Sequence, residues 1–125
     1  MREAKKRVLV ADDEEVIADT LAIILEHAGF EARAVYSGEE AVETARMFKP
    51  DMLISDVVMG GITGIDAALQ VRAQLPSCKV LLFSGQAATV DLLGEARRQG
   101  HAFELLSKPV HPADLLARVR DNVCA

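Results

Sequence analysis

Little in these 125 residues points toward disulfides, nucleic acid or a membrane. There are two cysteines, Cys78 and Cys124. They are too few for a disulfide framework and match no metal-binding spacing, so both are expected as free thiols in a reducing cytoplasm. An excess of positive charge is also missing. The formal net charge of -5 excludes a domain whose main work is gripping nucleic acid by its phosphates. No apolar run is long enough to cross a bilayer. The basic start, Met1 to Arg7, resembles a secretory leader only superficially, because the apolar run Val8-Leu9-Val10-Ala11 is short and meets Asp12 at once. Repeats, linkers and low-complexity segments are lacking too, which leaves a single domain over residues 1–125. Half the residues are apolar and about a quarter charged, an ordinary globular balance. A chain of this length buries roughly two-thirds of its unfolded surface.

What is present is alternation. Val8–Ala11 reads as a buried strand ending in Asp12-Asp13-Glu14-Glu15. Ile17, Leu21, Ile24, Leu25 and Ala28 then recur at helical spacing up to Gly29, with Asp12 or Asp13 placed as the N-cap. Glu31–Val35 is a more polar strand, expected nearer an edge. Ser37 opens a second helix with Glu40 completing a capping box; Ala41, Val42, Ala45 and Met47-Phe48 are its apolar positions, and Pro50 closes it. Met52–Asp56 is a short apolar run set between Pro50 and Gly60-Gly61, and reads as the central strand. A third helix follows from about Thr63 to Leu75, a fourth strand over Cys78–Phe83, and a fourth helix over about Ala87 to Arg98. A fifth strand is expected over Ala102–Leu106 and a last helix from Pro112. Five alternations predict an α/β fold of flavodoxin-like type: a doubly wound, five-stranded parallel sheet of order 2-1-3-4-5 with five helices on its two faces.

In such a sheet, ligands bind at the carboxyl ends of the strands. Four strands deliver polar groups there: Asp12 and Asp13, Asp56, Ser84 and Lys108. Singly, each has a plainer role. The Asp pair and Ser84 read as caps or turn residues, Asp56 reads equally as cap or site, and Lys108 as a solvated lysine. Their coincidence on one rim selects a site. Three carboxylates crowded together repel one another unless a cation intervenes, and oxygen-only ligands suit Mg²⁺. A lysine and a hydroxyl beside them suit the oxygens of a phosphoryl group, so the set reads as an aspartyl-phosphate site with Asp56 as nucleophile. His27, His101 and His111 read as solvated residues, and Met47, Met52 and Met59 as core or rim filler.

The acidic pair after strand 1, the lone Asp56, Ser84-Gly85 and Lys108-Pro109 together resemble the receiver domains of bacterial two-component response regulators, over about Arg7 to Asn122. The resemblance implies that Asp56 is phosphorylated by a sensor histidine kinase or a phosphotransfer protein. It implies that Asp13 binds Mg²⁺ directly, that Asp12 supports it through water, and that Val58 offers its backbone carbonyl. It further implies that Ser84 hydrogen-bonds a phosphoryl oxygen, that Lys108 pairs with the phosphate, and that the bond before Pro109 is cis. The chemistry would be the domain's own phosphorylation and dephosphorylation, with no separate enzyme activity, no membrane insertion and no direct nucleic-acid contact. Output would run through a protein contact at the face of helix 4, strand 5 and helix 5, or through onward phosphotransfer. The sequence as given leaves no residues after the last helix for an output domain, and a stand-alone receiver is expected.

Three positions depart from the family pattern. Gly60 stands where proline is common and Ile62 where methionine is common, which should loosen the loop. Leu105 stands where an aromatic switch residue is usual, with Phe103 two residues earlier on the same strand face. Two rivals therefore stay open. One is a degenerate receiver used as a docking scaffold. The other is a small aspartyl-phosphate phosphatase, which would want a nucleophile and an acid two residues apart, whereas Asp12 and Asp13 are adjacent. A nucleotide or flavin binder of this fold lacks its glycine-rich loop here.

Overall fold

The computed structural model describes residues 5–85, 94, 97, 100 and 103–123. Its elements are β1 (Arg7–Ala11), α1 (Glu15–His27), β2 (Glu31–Val35), α2 (Gly38–Phe48), β3 (Met52–Asp56), α3 (Gly64–Gln74), β4 (Lys79–Ser84), β5 (Glu104–Ser107) and α4 (Pro112–Val123). Every strand pairing is parallel and the order is β2-β1-β3-β4-β5, so the chain has the flavodoxin-like α/β fold. The helix expected over about Ala87 to Arg98 lies outside the described residues apart from Gly94 and Arg97, which are helical.

Two cores sandwich the sheet, and the strand period of two sorts side chains between them. Leu9, Ala11, Leu53 and Leu82 pack against α2 and α3. Val8, Val10, Ile54, Leu81 and Phe83 pack against α1 and α4. β3 is buried along its whole length, as a central parallel strand covered on both faces must be. Each large apolar side chain fully buried this way contributes about 1.5–3 kcal/mol of transfer free energy. This rigid centre is what places Asp56 at a fixed point on the rim.

Local differences from expectation have identifiable causes. The N-cap of α1 is Glu14, with no side-chain cap bond, because Asp12 turns inward and its Oδ1 accepts from the Glu14 amide at 2.9 Å. The Ser37 hydroxyl accepts from the Glu40 amide at 3.0 Å, but the fully reciprocal capping box forms at Thr63 and Asp66. Met47 is 83% exposed and is no core filler: the buried stripe of α2 runs through Ala41, Val42, Ala45 and Phe48, which leaves position 47 outside. Met52 and Met59 are buried. The fifth strand runs Glu104–Ser107, two residues later at its start than expected, so Phe103 precedes it. His27 and His111 are exposed, while His101 lies outside the described residues. Cys78 is buried, and that burial pushes its thiol up to about 11. Cys124 falls outside the described residues. Among the described residues no helix is long and apolar enough to cross a membrane.

Candidate functional site

Four of the five strands bring polar groups to the rim where strand order reverses. β1 leads into Asp12, which is fully buried and whose amide bonds the Val35 carbonyl at 3.2 Å. Asp13 follows, exposed. Asp56 and Ser84, the last residues of β3 and β4, are almost entirely buried. The Lys108 amide donates to the Ser84 carbonyl at 3.2 Å, so the ends of β4 and β5 remain joined just where both enter the site. The Lys108–Pro109 peptide bond is cis.

The Lys108 ammonium donates to Asp56 Oδ2 at 3.0 Å and lies 3.6 Å from Asp12 Oδ2. It also sits 5.2 Å from the centre of the Phe83 ring, so an aromatic face forms part of the floor beneath it. Burial acts to lower the Lys108 pKa, but the Asp56 hydrogen bond and the charges of Asp56 and Asp12 outweigh it, and the net shift is upward. Asp12 is shifted upward as well. Burial is the main cause, reinforced by the charges of Asp56 and Asp13 and opposed by the Glu14 amide and Lys108. Asp12, Asp13 and Asp56 each offer an oxygen, and these oxygens lie within 4.8 Å of one another. Three carboxylates thus face one ammonium, and repulsion is left over.

Asp12 Oδ2 is the sharpest sign of that imbalance: a buried carboxylate oxygen with no hydrogen-bond partner among the described residues. Leaving such an atom unsatisfied costs about 1–3 kcal/mol, more when it is charged. A hard divalent cation bound by carboxylate oxygens would satisfy it, so the residues present fit Mg²⁺. The groups open onto a polar depression of about 460 Å³ that Asp13, Glu14, Val58, Ser84 and Lys108 help to line. That space accommodates a phosphoryl group beside Asp56. Leu105, by contrast, is not at the site; it pairs with Leu82 and is 37% exposed.

Four residues escaped sequence reasoning. Glu14 lines the depression and its charge bears on Lys108. Ser55 is buried and its hydroxyl donates to the Asp56 carbonyl at 2.9 Å. Gly64 opens α3 so close to that carbonyl that a Cβ would collide with it, and the Gly64 amide donates to the Val57 carbonyl at 2.8 Å. Glu39 reaches from α2 to the loop after Asp56, its Oε2 accepting from the Ile62 amide at 3.4 Å. Ser55 and Gly64 were visible only as an ordinary strand residue and a helix start, since their role depends on α3 folding back.

The fold and the site together define a doubly wound α/β domain with an acidic, lysine-bearing cleft at the switch point of its sheet. The family model for the response regulator receiver domain matches residues 8–120, and the chain belongs to that family. The DNA-binding response regulator MtrA of Mycolicibacterium paratuberculosis is 30% identical over 116 residues, which is 93% of this chain and 50% of that protein. The chain spans about half the length of the curated relatives it matches. Among solved structures, chemotaxis protein CheY4 of Vibrio cholerae has a TM-score of 0.84 at 29% identity, covering 96% of this chain and 100% of that one. Response regulator protein TrrA of Thermotoga maritima, in complex with Mg²⁺-BeF, has a TM-score of 0.80 at 28% identity, covering 94% and 99%.

Proposed function

We propose that this receiver is a Mg²⁺-dependent phosphoacceptor, taking a phosphoryl group onto Asp56 from the phosphohistidine of a sensor kinase or a phosphotransfer protein in the cytoplasm. The observation that carries the reading is the Lys108 ammonium 3.0 Å from Asp56 Oδ2, next to the buried, unbonded Asp12 Oδ2. Asp12, Asp13, Asp56 and the Val58 carbonyl would hold the cation, as the family implies and as the acidic cluster supports. When bound, Mg²⁺ neutralises charge on the phosphoryl oxygens. An Asp56 carboxylate oxygen attacks phosphorus in line; the new P–O bond forms as the P–N bond to the donor imidazole breaks. That imidazole, protonated on its other nitrogen, departs neutral. Lys108 pairs with an equatorial oxygen and the Ser84 hydroxyl donates to another, which positions the group and spreads its charge. The carrying similarity to TrrA is that its solved form holds Mg²⁺-BeF.

The signal then leaves by protein contact or onward phosphotransfer. We place the contact on the face built by residues 87–98, β5 and α4, of which the first, apart from Gly94 and Arg97, lies outside the described residues. The usual aromatic switch is absent or altered. Leu105 takes its place, and the neighbouring Phe103 is already committed, buried in the α2–α3 core with the Arg72 guanidinium 5.0 Å from its ring centre. A docking scaffold that needs no phosphorylation remains the second reading, favoured by Leu105 and Gly60 alone.

Intact-mass measurement after incubation with acetyl phosphate separates the two. The phosphoacceptor gains one phosphoryl group with Mg²⁺ and none with a chelator or in Asp56→Asn. A wild-type chain that binds Mg²⁺ yet gains nothing is the scaffold.

A further inference from the structure

We infer that Glu39 is a positioning residue for the cation site, acting through the loop of residues 57–63; the inference rests on the phosphoacceptor reading. That loop follows Asp56 directly and carries the Val58 carbonyl. Its first residue is fixed on both sides: the Val57 amide donates to the Phe83 carbonyl at 3.1 Å and its carbonyl accepts from Gly64. Met59 is buried in the α2–α3 core. The slack lies at Gly60 and Gly61. Around Gly60 there is open space, with nothing within 4 Å of where a Cβ would stand.

At Gly61 the loop meets α2. Gly61 has φ of +88°, and a Cβ there would collide with the Glu39 carboxylate, its Oε1 standing 2.9 Å away. The next amide, of Ile62, donates to Glu39 Oε2. One residue before Glu39, Gly38 is buried against Ile62, and a Cβ on it would stand 2.6 Å from Ile62 Cγ1. Glycines on both partners thus bring the first turn of α2 against the loop, and Glu39 closes the contact. Where proline would stiffen this loop from within, the chain holds it from outside by a carboxylate on a neighbouring helix. Partners bonded directly to a metal ligand typically alter metal affinity by about 10–100-fold, and Glu39, which acts one step further out through a single long, exposed hydrogen bond, belongs at or below the low end of that range.

The test is Mg²⁺ titration of the whole chain by amide chemical shifts, with hydrogen exchange at Ile62 and thermal stability without Mg²⁺ as companions, for wild type, Glu39→Ala and Glu39→Gln. Expected for Glu39→Ala are Mg²⁺ binding weakened about three- to tenfold and faster exchange at Ile62, with little change in metal-free melting. Glu39→Gln keeps a side-chain oxygen that accepts from the Ile62 amide, and is expected to recover most of the affinity. Equal weakening in both variants would mean that the lost charge, acting at a distance, is responsible, and would overturn the positioning role. Unchanged affinity in Glu39→Ala would overturn it as well. If the wild type itself binds no Mg²⁺, the phosphoacceptor reading fails first and the inference falls with it, a failure recognisable because it needs no variant.

Discussion

Lys108→Ala is expected to slow phosphorylation of Asp56 by acetyl phosphate about 10²-fold, the usual cost of losing one preorganised donor to developing charge. The size of the effect follows from where Lys108 sits. It is the cation hydrogen-bonded to Asp56, it lies 3.6 Å from Asp12, and its side chain is only 24% exposed. A water replacing it brings no charge. The same substitution should also change stability. Removing the ammonium leaves Asp12 buried among carboxylates without its nearest positive partner, a loss of about 1–3 kcal/mol in the metal-free protein near neutral pH. The sign with pH is fixed by the two shifts. Lys108 is raised, so its stabilising contribution is fully present below its ordinary 10.5 and disappears as pH climbs through the higher folded value. Asp12 is raised from 3.8, so it takes up its proton early on acidification and relieves the repulsion there. The stability gap between wild type and Lys108→Ala should therefore be widest between neutral pH and about pH 10, and should narrow toward pH 4 and in strong alkali. Denaturant melts across that range check it. A gap independent of pH would mean the substitution acts through packing against Phe83 and not through charge.

Gly64→Ala is the second large effect, and it concerns stability before chemistry. A Cβ at position 64 would collide with the Asp56 carbonyl oxygen and stand 2.8 Å from the Ser55 hydroxyl, atoms that belong to the most buried strand and have nowhere to go. Either α3 shifts away from β3 or the end of β3 moves. Overpacking of this kind costs about 1–3 kcal/mol, and the upper end applies where backbone must give. For a domain of this size, about 3 kcal/mol lowers the melting temperature by about 10 °C or more. Gly60→Ala is the matched control. Its Cβ would enter open space and its φ is not positive, so it should be neutral, or stabilising by about 0.4–1 kcal/mol through a less flexible unfolded chain. Equal melting temperatures for the two alanine variants would refute the close approach.

Most of the fold was legible because the central strands announce themselves. Val8–Ala11, Met52–Ile54 and Val80–Phe83 are short apolar runs with polar residues at their carboxyl ends, and alternating with helical patterns they fit parallel strands covered on both faces. Edges and seams were harder to read. The fifth strand was expected over Ala102–Leu106 but begins at Glu104, an edge strand where Glu104 and Leu105 are exposed and Glu104 pairs with Arg118 of α4 at 3.2 Å. Met47 looked like core because it is apolar and adjacent to Phe48, but position along the helix decides burial, not composition. The acidic pair looked like a cap, and the conflict was informative: Asp12 turns inward to the rim, leaving Glu14 at the cap position without a side-chain bond. A local rule broken there marked the site. Ser55, Gly64 and Glu39 were silent because each acts on backbone that the sequence places far away or gives no reason to bring near. Their roles exist only once α2 and α3 have packed on the same face of the sheet.

The central claim is that Asp56 carries the phosphoryl group, and the most direct measurement is its location. An acyl phosphate is reduced by borohydride to the corresponding alcohol, which survives digestion and peptide sequencing. After incubation with acetyl phosphate and Mg²⁺ followed by borohydride, the account predicts a single reduced residue at position 56 in the peptide containing Ser55-Asp56-Val57. Reduction at Asp12 or Asp13 instead, or a phosphoryl group found on a histidine such as His111, would contradict it.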